Sequence, residues 1–139
     1  MSDPDEEGAT WLTRLSAEEW LVAARGELTR SVTALKLKQQ RAGVTQARRA
    51  AGMAWNAVLH GIVDSDERAR YGRSYMDHLR VLSEDLNVTA QVREAAKALT
   101  AAPLEPVLVQ LGSGDTRVSD AAGVIVGEAT RRLANVNAS

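Results

Sequence analysis

The segment Tyr71-Gly72-Arg73-Ser74-Tyr75-Met76-Asp77-His78 gathers an Arg, a Ser, two Tyr, an Asp and a His in a chain otherwise rich in Ala, Val, Leu, Arg and Gly. A histidine moves protons near neutral pH, and an arginine holds a phosphate and offsets charge that builds up on it. Arg73 and His78 together are therefore a minimal kit for cleaving RNA without a metal. The imidazole would act on the 2′-hydroxyl or the leaving oxygen while the guanidinium grips the phosphate. Ser74 and Tyr75, between them, are candidate binding residues. The pattern is short and common, and the plain alternative has His78 bonded to a neighbour and Arg73 in solvent.

Asn56 and His60 stand four apart, on one face of a helix, with Trp55 beside them. They either complete a polar pocket with His78 or, more commonly for such a pair, face solvent or a small core network. His60 and His78 are the only histidines, and there is no Cys. Neither Glu-x-x-His nor His-Glu-x-x-His occurs, so no metal site and no cofactor is expected. Gly112-Ser113-Gly114-Asp115-Thr116 lacks the lysine of a phosphate loop and carries an acid that would repel phosphate, so it reads as the loop that starts a helix.

Charge adds a second candidate surface. From Leu28 to Val63 there is no acidic residue, while Arg30, Lys36, Lys38, Arg41, Arg48 and Arg49 lie in that span. A basic hairpin tip without acids suits an anionic partner, and Arg41, Arg48 and Arg49 are the residues that would guide RNA or a nucleotide. Arg48 and Arg49 are expected in the first turn of a helix, where cations oppose the macrodipole.

The elements that must position these residues are helical throughout. Ser16-Ala17-Glu18-Glu19 is a capping box, with Leu15 placed to staple onto Trp20. Leu21, Ala24, Leu28, Val32 and Leu35 continue a helical stripe expected to reach about Gln40 and end at Gly43. A second helix is expected after Thr45, with Ala47, Ala50, Ala51, Ala54, Val58 and Ile62 inward, paired antiparallel with the first. Asp64 opens the next element. Then either the chain breaks at Tyr71-Gly72-Arg73 and restarts at Ser74, or one helix runs through Gly72 at about 1 kcal/mol relative to Ala. On an unbroken helix Arg73 and His78 would diverge by about 140°; a break lets Arg73 fold toward His78. Thr89 caps a further helix ended by Pro103 and Pro106, and the last helix runs from about Thr116 to Asn135. Gly123 and Gly127 there suit close helix packing, within the bundle or across a dimer.

At 139 residues this predicts a single all-α domain, an up-and-down bundle of about five helices, preceded by a flexible acidic tail over residues 1–10. The N-terminus has no apolar run, no stretch approaches the roughly 20 apolar residues of a membrane span, and Cys is absent, so a cytoplasmic protein away from membranes is expected.

Three stretches also carry a family likeness. Trp20-Leu21-Val22-Ala23-Ala24-Arg25-Gly26-Glu27-Leu28, then Ala47 through Leu59, then Asp77-His78-Leu79-Arg80-Val81-Leu82, resemble in order the HEPN superfamily of small bacterial and archaeal helical domains, over residues 16–84. The resemblance implies a helical bundle that forms homodimers. It implies metal-independent endoribonuclease activity, often in toxins of toxin–antitoxin pairs, with Arg73 and His78 matching the Arg-x4-6-His motif and two chains facing a shared cleft. The alternative is a non-enzymatic adaptor, a bundle that grips a protein partner through Trp11 or Trp55 and the basic tip.

Overall fold

Alanine sets the geometry of this fold. In the computed structural model, which describes residues 15–105 and 116–138, the chain is an all-α helical bundle. Its helices are α1 (Ala17–Lys36), α2 (Gln40–Gly61), α3 (Ser65–Arg70), α4 (Tyr75–Leu82), α5 (Ala90–Ala101) and α6 (Arg117–Ala138). The tail over residues 1–10, Trp11, the run 107–111 and the 112–115 loop lie outside the described residues.

The central helix is α2. It packs along α1 as a hairpin, against α6 on a second side and against α4 on a third. Ala47, Ala50, Ala51, Ala54 and Ala57 are wholly buried along it, and side chains this small let neighbouring backbones approach closely. Larger side chains fill the spaces between helices: Trp20 and Leu21 from α1, Leu79 and Leu82 from α4, Leu99 from α5, Ile125 from α6. α5 closes the bundle against α4 and α6. Among the described residues no helix is long and apolar enough to cross a membrane.

Four of the expected helix starts carry their caps, whereas the second helix, expected after Thr45, starts instead at Gln40 with no side-chain cap and holds Thr45 inside it. Ser16 and Glu19 form a reciprocal capping box; Asp64, Ser74 and Thr89 each accept from a backbone amide three residues on.

The first reversal falls earlier than the expected stop at Gly43. The α1 helix ends at Lys36, and Lys38 takes the left-handed conformation at φ 60°. The Gln39 amide reaches Ala34 O at 2.8 Å and the Lys38 amide reaches Leu35 O at 3.0 Å. These two bonds make a Schellman motif with lysine in the position glycine usually fills. Gly43 instead lies inside α2, buried against α1. A Cβ there would come within 2.4 Å of the Leu35 side chain, and the Ser31 hydroxyl donates to Gly43 O at 2.6 Å. The glycine serves helix contact, not termination. Arg48 and Arg49 consequently sit in the middle of α2, and only Arg41 of the three lies in its first turn. Neither Arg48 nor Arg49 therefore opposes the macrodipole at the helix start.

The second break resolves the choice at Gly72. Tyr71 caps α3, Gly72 adopts φ 75°, and Ser74 begins α4. A Cβ on Gly72 would also stand 2.7 Å from the Asp77 Cβ, so both backbone and space call for glycine. The break accounts for six described helices where an unbroken reading gives five.

Candidate functional site

A cavity of about 450 Å³ opens where α3 and α4 fold back over the end of α2 and the start of α1. Arg73 and His78 both line it, as do Asn56, His60 and Tyr75. Five of the sequence candidates thus face one space. The other lining residues include Trp20, Leu59, Arg68, Ser65 and Gly72. None of the residues that line the cavity is acidic.

His78 is the most constrained of them. It sits on the first turn of α4 and is only 3% exposed. Its Nδ1 lies 2.9 Å from Tyr71 O. A carbonyl only accepts, so Nδ1 carries the proton and Nε2 presents its lone pair. No group among the described residues bonds Nε2. Burial holds the imidazolium below its ordinary pKa, opposed by the Tyr71 carbonyl and by Asp77. His78 is thus a neutral, oriented base at neutral pH. The sequence alternative, in which it bonds a neighbour, is met at one nitrogen and leaves the other available.

Gly52 makes this placement attainable. It is buried on α2 under α4, and a Cβ there would come within 2.3 Å of the Tyr75 Cβ. With glycine, the start of α4 lies directly on α2 and carries Tyr75 and His78 to the cavity. Burial raises the Tyr75 phenol pKa, with Arg49 opposing and Glu27 adding to the rise. The Tyr75 and His78 rings meet edge-on at 6.3 Å.

His60 occupies the last turn of α2 and is exposed at the rim. Partial burial lowers its pKa, and the Arg68 charge, followed by His78 when protonated, lowers it further. The two histidines therefore sense one another across the cavity. Arg68 reaches the same end of α2. Its Nε donates to Leu59 O at 3.2 Å and a terminal nitrogen reaches Val63 O at 3.4 Å, satisfying carbonyls left open at the helix end. Arg73 is exposed, and its guanidinium makes no hydrogen bond or ion pair among the described residues.

Behind the cavity, a buried cluster fixes the Tyr71 backbone. The Tyr71 hydroxyl donates to Asp85, Arg70 pairs with the same carboxylate at 3.2 Å, and Asp85 accepts from the Asn87 amide at 2.8 Å. Burial pushes the Asp85 carboxyl up, but Tyr71, Asn87 and Arg70 outweigh it and hold it below the usual range. Burial and Asp85 raise the Tyr71 phenol strongly.

The remaining candidates lie elsewhere. The Ser74 hydroxyl accepts the Asp77 amide as the cap of α4. Arg41 pairs with Glu105. Arg48 turns inward and donates to Leu99 O at 2.8 Å and Ala102 O at 2.9 Å, closing the end of α5. Arg49 comes within 3.8 Å of the buried Glu27. These three arginines do not join Arg73 in the cavity, and each has a protein partner.

Trp20 and Arg68 are lining residues that sequence reasoning did not place. Trp20 reads as a core residue at the fourth position of a capped helix, and Arg68 as one charge in a charged turn; neither carries a local signal for a cavity. Among the described residues, no group of three acids or histidines is placed to hold a metal. The chain matches no protein-family model, no curated protein and no solved structure.

Proposed function

We propose that this chain is an RNA-binding domain that cleaves RNA without a metal, a HEPN-like endoribonuclease with its site in the cavity between α2 and α4. The observation that carries the reading is the acid-free cavity holding a tautomer-fixed histidine, His78, together with the unpaired guanidinium of Arg73. The lining carries cations and no carboxylate, which favours a phosphate, and the nearest acid, Asp77, is taken up in capping α4. The apolar and aromatic walls, Trp20, Leu59 and Tyr75, suit the face of a base or a ribose.

In this reading Arg73 holds a nonbridging phosphate oxygen and stabilises the charge that grows there, which is worth roughly 3–4 kcal/mol for a single well-placed donor. His78 Nε2 is the group that exchanges a proton with substrate. Tyr71 O keeps the imidazole in the required tautomer and orientation, as a carbonyl or carboxylate does for catalytic histidines generally.

The test is cleavage of end-labelled RNA in excess chelator by wild type, Arg73→Ala and His78→Ala. Cleavage by wild type that both variants lose, with helical content retained, supports the proposal. Binding without cleavage would make the cavity a binding module, and neither binding nor cleavage at high protein concentration would remove RNA as the ligand.

A further inference from the structure

We infer that His60 is the second proton-transfer residue of this site, so that one chain supplies both the general base and the general acid. The inference rests on the endoribonuclease reading above and extends it to the leaving group. Two histidines, from two different helices, line a single cavity: His78 from the start of α4 and His60 from the end of α2. They are the only histidines in the chain.

Their environments differ in the way an acid–base pair needs. His78 is buried, and Tyr71 O fixes it with Nδ1 protonated and Nε2 open. That is the form of a base. His60 is exposed at the rim, and its ring has no hydrogen-bond partner among the described residues. It can take a proton from water and turn toward a leaving group. Burial and the Arg68 charge disfavour its cationic form, whereas a phosphodiester seated in the cavity beside Arg68 offsets that repulsion and favours it. Asp77, which faces His78 from its own helix, is the acid that acts on this pair from α4.

The step balances within the pair. His78 Nε2 takes the proton of the ribose 2′-hydroxyl, and the 2′-oxygen forms a bond to phosphorus. The bond from phosphorus to the 5′-oxygen breaks, and its electron pair goes to that oxygen, which receives the proton of the His60 imidazolium. The products are a 2′,3′-cyclic phosphate and a free 5′-hydroxyl. His78 ends protonated and His60 neutral, and exchange with water resets both. No oxidant, reductant or metal enters.

A sulfur leaving group separates the two roles, because a thiolate departs without being protonated. The substrate is an RNA oligonucleotide carrying the linkage that wild type cuts fastest in a random pool, made with either oxygen or sulfur at the 5′-bridging position. Wild type, His60→Gln, His60→Asn and His78→Gln are compared in chelator, with thermal melts to confirm folding. The expected result is a loss of 100-fold or more for both His60 variants on the oxygen substrate, in the range general acids contribute, and recovery to within a few-fold of wild type on the sulfur substrate. His78→Gln should be slow on both. Equal losses on both substrates for the His60 variants, or no loss on either, would overturn the role of His60 while leaving the endoribonuclease reading intact. A wild type that cuts no RNA in the pool would overturn both.

Discussion

Gly52 and Tyr75 touch backbone to side chain: a Cβ on Gly52 would stand 2.3 Å from the Tyr75 Cβ and 2.5 Å from its Cγ. Neither partner can yield easily, since Gly52 is buried in mid-α2 and Tyr75 opens α4. Gly52→Ala gains about 1 kcal/mol of helix propensity but forces α4 outward. Overpacking of this kind typically costs about 1–3 kcal/mol. Urea unfolding should show a net loss of stability, and RNA binding should weaken with it. A stabilised variant with unchanged binding would show that α4 does not rest on this contact.

His78 couples the fold to pH. Burial lowers its pKa, so on acidification the unfolded chain takes up the proton before the folded one. The stability it contributes is present above the ordinary histidine value of about 6.5 and is lost as pH falls through that value and below it. Thermal midpoints should therefore decline between about pH 7 and pH 5, and His78→Gln should flatten that decline. The carboxylates held low, Asp77, Asp85 and Glu128, add their own loss only below about pH 4. A nitrogen-15 spectrum of the imidazoles at pH 8 should show His78 protonated at Nδ1.

Tyr71→Phe removes the hydroxyl that Asp85 accepts. The buried carboxylate keeps Arg70 and the Asn87 amide but loses its third partner. A lost partner for a buried polar group costs roughly 1–3 kcal/mol. Chemical denaturation should find a loss in that range, and the Asp85 carboxyl should titrate at higher pH than in wild type. Because Tyr71 O orients His78, the variant should also slow any cleavage more than it weakens binding.

Lys38 holds a left-handed conformation that disfavours side chains by roughly 1–2 kcal/mol. Glycine relieves that strain and gives back part of it through the more flexible unfolded chain, about 0.4–1 kcal/mol. Lys38→Gly should therefore raise stability by up to about 1 kcal/mol, read as a higher denaturation midpoint with unchanged slope. A lower midpoint would mean that the lysine side chain contributes more at this turn than its backbone costs.

Arg73→Ala should leave stability within about 0.5 kcal/mol of wild type, the ordinary range for an exposed position. It should weaken RNA binding and reduce the slope of log affinity against log salt by about one phosphate contact. Unchanged salt dependence would remove Arg73 from the binding surface.

Caps and stripes were legible in the sequence because each is a local matter of neighbours three and four residues apart, while at Gly72 the sequence left a break and a continuous helix open and the break is what forms. Ser16, Asp64, Ser74 and Thr89 all start helices where their spacing says they should. The first turn was misread because Gly43 looks like a helix stop, while the true stop uses a lysine in a glycine position and Gly43 answers to Leu35 across the hairpin. The same limit applies to the site. Arg73 and His78 were picked out by residue type, and after the break at Gly72 both line one cavity. That Asn56 and His60 share their cavity, that Trp20 and Arg68 wall it, and that Arg48 turns inward to the end of α5 all depend on how helices stack. No spacing rule along one chain segment reports such contacts.

Apart from Trp20, every residue lining the cavity belongs to the unbroken stretch from Asn56 to His78. Contacts between residues so near in sequence close quickly, because little chain entropy is lost in joining them. The wall of the site can thus assemble as a local unit on the end of α2, before the distant α6 docks. Destabilising changes in α6 should then accelerate unfolding more than they slow folding, and a circular permutation that keeps 56–78 intact should keep the cavity.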